Sequence, residues 1–186
     1  AVAVIAALRR SPGNELSTGK FDSPESSAAL AANAFGWFLE RPALLPPLPG
    51  VPMGQPEKVE VEVEMHFPWR GGRHPWLDAV LTTPTTLVGV ESKRYEPFRP
   101  QKAAAFSESF ASRDWGPGMA AYDAMRDGLN TGKQTFQTLN AAQLVKHAYA
   151  LRTQALKCAR GAVLVYLYAE PETWASGKLV DPTRIA

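Results

Sequence analysis

Residues 76–94, with the sequence WLDAVLTTPTTLVGVESKR, predict a β-hairpin. Two aliphatic runs flank the segment TTPTT, and Pro84 favours the second position of a tight turn over residues 83–86. Residues that pair across such a turn keep a constant sum of residue numbers. The hairpin therefore predicts that Asp78 lies directly opposite Glu91, with the two Cβ atoms about 4.5–5.5 Å apart.

The second strand of this hairpin ends in charged residues. Side chains alternate between the faces of a strand, so Glu91 and Lys93 are expected to share one face. The other face is expected to be core, formed by Leu77, Ala79, Leu81, Val88 and Val90.

Two opposed carboxylates repel each other, and a protein retains them more readily when a cation lies between them. Mg²⁺ prefers oxygen ligands and keeps several waters, so Asp78 and Glu91 predict a magnesium site, with the Ser92 carbonyl as a third ligand. Lys93 is suited to orienting a water molecule or stabilising charge on a phosphate oxygen. The alternative is a solvent-exposed hairpin face that carries an ordinary glutamate–lysine pair.

The segment before the hairpin alternates strictly, which predicts a strand with one buried face. The apolar set is Val59, Val61, Val63, Met65 and Phe67, and the other set, Glu60, Glu62, Glu64 and His66, is expected to be solvated.

The remaining segments predict helices and a last strand. Ser23 and Pro24 favour the start of a helix that continues to residue 40, and Asn140 is a good N-cap for residues 141–157. Residues 161–171 are apolar enough for a central strand that is covered on both faces. The order predicts a mixed α/β fold, with a sheet flanked by helices in a single domain over residues 1–186.

Composition limits the class of protein. The chain has 186 residues, of which 45% are hydrophobic and 20% charged, so a globular core is expected. A net charge of +2 permits nucleic-acid binding without requiring it. One cysteine argues against a disulfide framework and for a reducing compartment, which predicts a cytoplasmic location.

The apolar run at residues 1–8 precedes the charged residues, which favours a packed helix over a signal peptide. No apolar run in the sequence is long enough to span a membrane.

Two short motifs carry a family resemblance. PWLD at residues 75–78 and VESK at residues 90–93 resemble the motif of the PD-(D/E)XK nuclease superfamily, although the proline precedes the aspartate by three positions. The element order resembles the αβββαβ core of this restriction endonuclease-like fold. The segments SSAALAANAFG, LDAVL and GVESKRYEPF are similar to a bacterial restriction-endonuclease-like subgroup, so the resemblance extends over residues 26–170.

The resemblance implies an enzyme that hydrolyses DNA phosphodiester bonds through a metal-activated water. By this resemblance Asp78 and Glu91 hold Mg²⁺, for which Mn²⁺ can substitute, and Lys93 is the catalytic lysine. It also implies an acid from the first helix, for which Glu25 is the candidate and Glu64 a rival. The enzyme would act on DNA as an endo- or exodeoxyribonuclease. A homodimer is one arrangement in which it would act, and no membrane partner is expected.

Some branches of the superfamily add a glutamine on a later helix, and Gln143 is the candidate here. A tyrosine commonly follows such a glutamine by four residues, whereas this chain has His147 at that position. Phosphate contacts are expected from basic residues near the hairpin and on the later helix, namely Arg94, Arg99, Lys102 and Lys146. Two other hypotheses stay open: a catalytically silent nucleic-acid-binding module on the same fold, and an interaction protein with a fortuitous hairpin.

Overall fold

The computed structural model describes residues 2–101 and 105–181. Its helices are α1 (Val2–Arg10), α2 (Ser27–Phe35), α3 (Glu108–Ala111), α4 (Ala120–Asn130) and α5 (Ala141–Lys157). Its strands are β1 (Lys58–Glu64), β2 (Trp76–Thr82), β3 (Thr86–Lys93) and β4 (Gly161–Tyr168). Asn140 caps α5 as predicted, because its side chain accepts the Gln143 N–H at 3.1 Å.

The four strands form one mixed sheet in the order β1-β2-β3-β4. The pairs β1–β2 and β2–β3 are antiparallel, and β3–β4 is parallel. Helices cover both faces: an α2 core packs residues of α1 and α2 on one face, and an α5 core packs residues of α4 and α5 on the other. This arrangement confirms the predicted α/β class and has a restriction-endonuclease-like core.

The hairpin register agrees with the prediction over four pairs, and the predicted pair of Asp78 with Glu91 lies beyond them. The pairs run from Thr82 with Leu87 to Ala79 with Val90, as the turn at Pro84 requires. Thr83 closes the turn, because its N–H donates to the Thr86 carbonyl at 2.9 Å and its hydroxyl oxygen accepts the Thr86 N–H at 2.9 Å. The turn therefore fixes how far each strand extends toward the candidate site.

Strands β1 and β2 change faces part-way along their length. Glu62 has a φ of 52°, a left-handed value that interrupts the regular alternation of an extended strand. The residues before it, Val59 and Val61, pack in the α2 core, whereas the residues after it, Val63, Met65 and Phe67, pack in the α5 core. The prediction that all five share one face is wrong for this reason.

The same change of face occurs on β2. Leu77 packs in the α5 core, whereas Ala79 and Leu81 pack in the α2 core with Val88 and Val90. The predicted grouping of Leu77 with those four residues is therefore wrong. Asp78 is the residue at which β2 changes faces.

Strand β4 lies at an edge of the sheet. It pairs with β3 on one side and is only half-buried along most of its length. The prediction of a central position is wrong, because apolar composition alone does not distinguish a central strand from an apolar edge strand. The predicted coverage of both faces is confirmed, since Ala162 and Leu164 pack against the α5 core and Val163, Val165 and Leu167 against the α2 core.

The first predicted helix starts later than its sequence indicated. Helix α2 begins at Ser27, and Ser26 is its N-cap, with its side chain accepting the Ala29 N–H at 3.1 Å. Glu25 therefore precedes the helix instead of lying in its first turn. No helix within the described residues is long and apolar enough to cross a membrane.

Candidate active site

Asp78 reaches from β2 to the backbone of β3. The backbone pairing of the two strands runs as far as Ala79 with Val90, and beyond it Asp78 Oδ2 accepts the Ser92 N–H at 2.5 Å. The N–H and C=O of one strand residue point to the same side, so the Ser92 carbonyl also points toward β2. The Asp78 carboxyl and the Ser92 carbonyl therefore lie on the same side of β3.

Glu91 is the most enclosed charged group of the site, with 2% of its surface exposed. Its Oε1 forms an ion pair with the Lys93 ammonium. Its Oε2 lies 3.1 Å from Nδ1 of His147, which is also 2% exposed and comes from α5. This Nδ1 makes no hydrogen bond of good geometry with a described residue, so the contact with Glu91 is a close polar pair. The carboxylate is thus held between two nitrogen groups from two elements.

The site brings unlike charges together away from water, and this changes their proton affinities. Burial, and then the charge of Glu91, raise the pKa of Asp78 to about 8. Burial also pushes the pKa of Glu91 upward, but the contacts with His147 and Lys93 outweigh it and hold that pKa below its usual range. Burial works against the charged form of Lys93, yet Glu91 and Asp78 leave its pKa raised. At neutral pH, Asp78 is therefore the carboxyl of the two that keeps a proton when no metal ion is bound.

Glu62 is a further acidic residue of the site, which the sequence had assigned to a solvated face. Burial raises its pKa, a hydrogen bond with Ser11 opposes that rise, and the charge of Glu91 adds to it. The charge of Glu62 in turn raises the pKa of Asp78. Alternation along β1 concealed this residue, because the left-handed backbone at Glu62 is not encoded in the hydrophobic pattern.

The family comparison agrees with this geometry. The model of the family described as Restriction Endonuclease associating with ARP matches residues 4–179, which is nearly the whole chain. The chain belongs to this family. No curated protein and no solved structure matches it. Membership in a restriction-endonuclease-like family indicates a nuclease-like role for the chain.

Two acids predicted from that family resemblance have other partners. Glu25 forms an ion pair with Arg99 and accepts the Ala175 N–H at 3.3 Å. Glu64 lies 3.4 Å from Nε2 of His66. Neither contact joins these acids to Asp78 or Glu91, and a catalytic role for Glu25 stays a prediction. The acid of β1 whose charge acts on the site is Glu62.

Gln143 lies one helical turn before His147 on α5, and the two residues line a common cleft. The cleft has a volume of about 370 Å³. Its other lining residues come from the β1–β2 connection, from α3 and from α5: Phe67, Arg73, His74, Pro75, Phe110, Asn140 and Lys146. Gln143 and the residue four positions later therefore line the same cleft, and in this chain that later residue is a histidine.

The predicted phosphate-binding cations occupy different environments. Arg94 lies over the Tyr95 ring at 5.9 Å, and Arg99 lies over Trp174 at 5.0 Å while paired with Glu25. Lys146 lies 5.0 Å from the Phe106 ring and lines the cleft beside His147. Lys102 lies outside the described residues. Of the three that can be placed, Lys146 is the one that shares a cleft with His147.

The donor groups of the site suit a hard cation. Within residues 2–101 and 105–181, no three histidine, cysteine, aspartate or glutamate side chains converge as a ready metal cluster. Asp78, Glu91 and the Ser92 carbonyl supply oxygen donors only, which is the chemistry that Mg²⁺ selects when it keeps part of its water shell. Ser92 Oγ is buried and makes no hydrogen bond with a described residue, so one polar atom beside these donors is unsatisfied.

Proposed function

We propose that this protein is a Mg²⁺-dependent deoxyribonuclease of the PD-(D/E)XK type, acting as an endo- or exonuclease. The observation that carries the proposal is the buried Glu91 carboxylate, which contacts Lys93 on β3 and His147 on α5 beside the carboxyl of Asp78. Membership in a restriction-endonuclease-like family supports DNA as the substrate.

Asp78, Glu91 and the Ser92 carbonyl are the groups that would hold the metal ion, and Mn²⁺ would substitute for Mg²⁺. When bound, such an ion lowers the pKa of a water and polarises the phosphodiester. The raised pKa of Asp78 supports this assignment, because a cation would displace its proton and relieve the repulsion with Glu91.

Lys93 supplies a fixed positive charge to the reaction. Its raised pKa keeps the ammonium protonated at neutral pH, so it is a donor to a phosphate oxygen or to the attacking water. Glu91 orients this ammonium through their ion pair, and His147 restrains the other oxygen of the same carboxylate. Burial of Glu91 and His147 keeps bulk water away from these contacts and strengthens them.

The test is DNA cleavage in Mg²⁺ or Mn²⁺ by the wild-type protein, by Lys93→Ala and by the control Lys58→Ala. Lys58 also pairs with a glutamate two residues away on a strand, but on the exposed surface. We expect Lys93→Ala to lose cleavage while it largely keeps DNA binding, and Lys58→Ala to cleave like the wild type. Equal cleavage by Lys93→Ala would show that the proposed mechanism is wrong.

A specific contact favours a second candidate, the catalytically silent nucleic-acid-binding module. Both Glu91 oxygens already face nitrogen groups, Lys93 and His147, so the carboxylate is balanced without a metal ion. Binding of DNA without cleavage in either metal ion, over single-stranded and duplex substrates, would support this candidate.

Three further points stay proposals. The family description names an association with ARP, and we extend that association to this chain, to be tested by co-purification with ARP. A homodimer is an expectation that sedimentation of the purified protein tests. A cytoplasmic location in a bacterium rests on the single cysteine and on the resemblance, and cell fractionation tests it.

A further inference from the structure

Two clefts of opposite character lie beside the candidate site. The cleft lined by His147 is called here the α5 cleft. The described residues that line it include no carboxylate but include the cations Arg73 and Lys146. The cleft lined by Glu62, called here the β1 cleft, is bordered by one cation, Arg10, and by four acids, Glu40, Glu60, Glu62 and Glu64. A polyanion is attracted to the first cleft and repelled by the second.

The α5 cleft is next to the site through a single side chain. Nδ1 of His147 lies 3.1 Å from Glu91, and the same imidazole lines the cleft. The cleft and the Glu91 carboxylate therefore have His147 as a common neighbour. This adjacency suits the nucleotide next to the one whose phosphate reacts.

The lining of the α5 cleft fits a nucleotide better than a phosphate alone. Phe67, Pro75 and Phe110 give it apolar walls, and side-chain amides come from Asn140 and Gln143. The Gln143 side chain makes no hydrogen bond with another described residue, and it is half-buried. An amide with free donor and acceptor groups beside an apolar wall is suited to the edge of a nucleobase.

His74 adds a donor at the same cleft. Its Nδ1 accepts the Phe67 N–H at 3.1 Å, so the neutral ring carries its proton on Nε2. Arg73 is exposed and Lys146 is half-buried. The Arg73 guanidinium and the Lys146 ammonium can therefore both reach a phosphate oxygen in the cleft. The cleft thus combines hydrogen-bond donors for a phosphate, amide groups for the edge of a base, and apolar walls.

The size of the cleft suits a small group and not a whole duplex. A volume of about 370 Å³ is at the lower end of the range for small-molecule pockets. A base inside a duplex is stacked and paired, so it can enter such a cleft only after it leaves the helix. We propose that the α5 cleft binds an unpaired nucleotide of the substrate strand, and that the protein acts on single-stranded DNA or on a single-stranded end. This inference rests on the proposed function for the identity of the substrate as DNA.

Binding without divalent metal tests the inference separately from cleavage. Fluorescence anisotropy would compare a labelled oligothymidylate, a duplex of the same length, and an abasic deoxyribose-phosphate strand. The variants are Arg73→Ala and Gln143→Ala in the α5 cleft, with Arg10→Ala in the β1 cleft as the matched control. Arg73 and Arg10 are both exposed, so neither substitution removes a buried side chain.

We expect the single strand to bind more tightly than the duplex. Arg73→Ala is expected to weaken this binding roughly fivefold to tenfold and to lower the salt slope by about 0.7, whereas Arg10→Ala changes neither. Gln143→Ala is expected to weaken binding of the oligothymidylate but not of the abasic strand, because its amide contacts the base.

Equal affinity for duplex and single strand would overturn the inference, as would equal effects of Arg73→Ala and Arg10→Ala. Failure of the proposed function has a different signature. In that case the single strand binds as expected, but no divalent metal ion supports its cleavage.

Discussion

Two glutamate–lysine pairs with the same spacing show how differently one motif behaves at two places in this fold. Lys58 and Glu60 lie two residues apart on β1, with Nζ 2.7 Å from Oε1. Glu91 and Lys93 lie two residues apart on β3 and also form an ion pair. The Lys58 and Glu60 side chains are 62% and 38% exposed, whereas the Lys93 and Glu91 side chains are 16% and 3% exposed.

The difference between the pairs lies in their surroundings. Water screens the β1 pair, and such surface pairs contribute between 0 and about 1 kcal/mol. The β3 pair lies under α5, where His147 adds a second nitrogen group to the glutamate and Asp78 adds a second carboxyl. Spacing alone therefore does not distinguish the two pairs, whereas burial and additional partners do.

The largest expected effect on stability comes from breaking the β3 pair. Lys93→Ala leaves the buried Glu91 carboxylate with His147 as its remaining nitrogen partner, and the free energy of unfolding is expected to fall by about 3 kcal/mol. Lys58→Ala is expected to lower it by less than about 1 kcal/mol. Urea unfolding followed by circular dichroism measures both. Adding Glu91→Gln to Lys93→Ala is expected to recover part of the loss, and equal losses for the two single variants would contradict this account.

Removing the α5 partner tests the feature that most separates the two pairs. His147→Leu is expected to weaken Mn²⁺ binding about 10–100-fold, because Glu91 loses the group that restrains Oε2. His147→Asn is expected to retain most of the affinity, since the asparagine amide places a donor near the position of Nδ1. Calorimetric titration with Mn²⁺ reports affinity independently of cleavage. If both variants bind like the wild type, His147 has no role in positioning Glu91.

The carboxyl of Asp78 predicts a pH-dependent difference in stability. Folding raises its pKa from an ordinary 3.8 to about 8, so the folded state holds this proton more tightly than the unfolded chain. The stability from this group is complete below 3.8 and is lost as the pH rises toward about 8.

Asp78→Asn removes this titration while keeping an acceptor for the Ser92 N–H. Without metal, the variant is expected to gain thermal stability relative to the wild type as the pH rises, and the difference is expected to vanish in acid. Differential scanning calorimetry over a pH series measures this. A constant difference at all pH values would exclude Asp78 as its source.

The smallest expected effect concerns two positions on β1. Glu62→Gly relieves a left-handed backbone that costs about 1 kcal/mol in a residue with a Cβ, so a gain of that order is expected. Glu60 lies in the regular part of the strand, where the same change is expected to cost roughly 0.5–1 kcal/mol. Thermal unfolding of the two variants compares them, and a loss for both would show that Glu62 is not strained.

Much of the scaffold was predictable because its signals are local. The turn at Pro84 set the hairpin register, and the cap at Asn140 set the start of α5. Glu62 was not predictable as a site residue, since nothing local announces a left-handed residue inside an alternating strand. The partner of Glu25 was equally hidden, because Arg99 is 74 residues away in the chain.

By itself, the sequence determined the hairpin, the spacing of Glu91 and Lys93 along one strand, and the resemblance that the family match supports. These features depend on turn chemistry and on the period of a strand, which neighbouring residues specify. Only the tertiary structure decided that β4 lies at the edge and that His147 meets Glu91. It also decided which cleft beside the site carries positive charge. Those outcomes depend on how separate elements pack, and no short stretch of the chain records that.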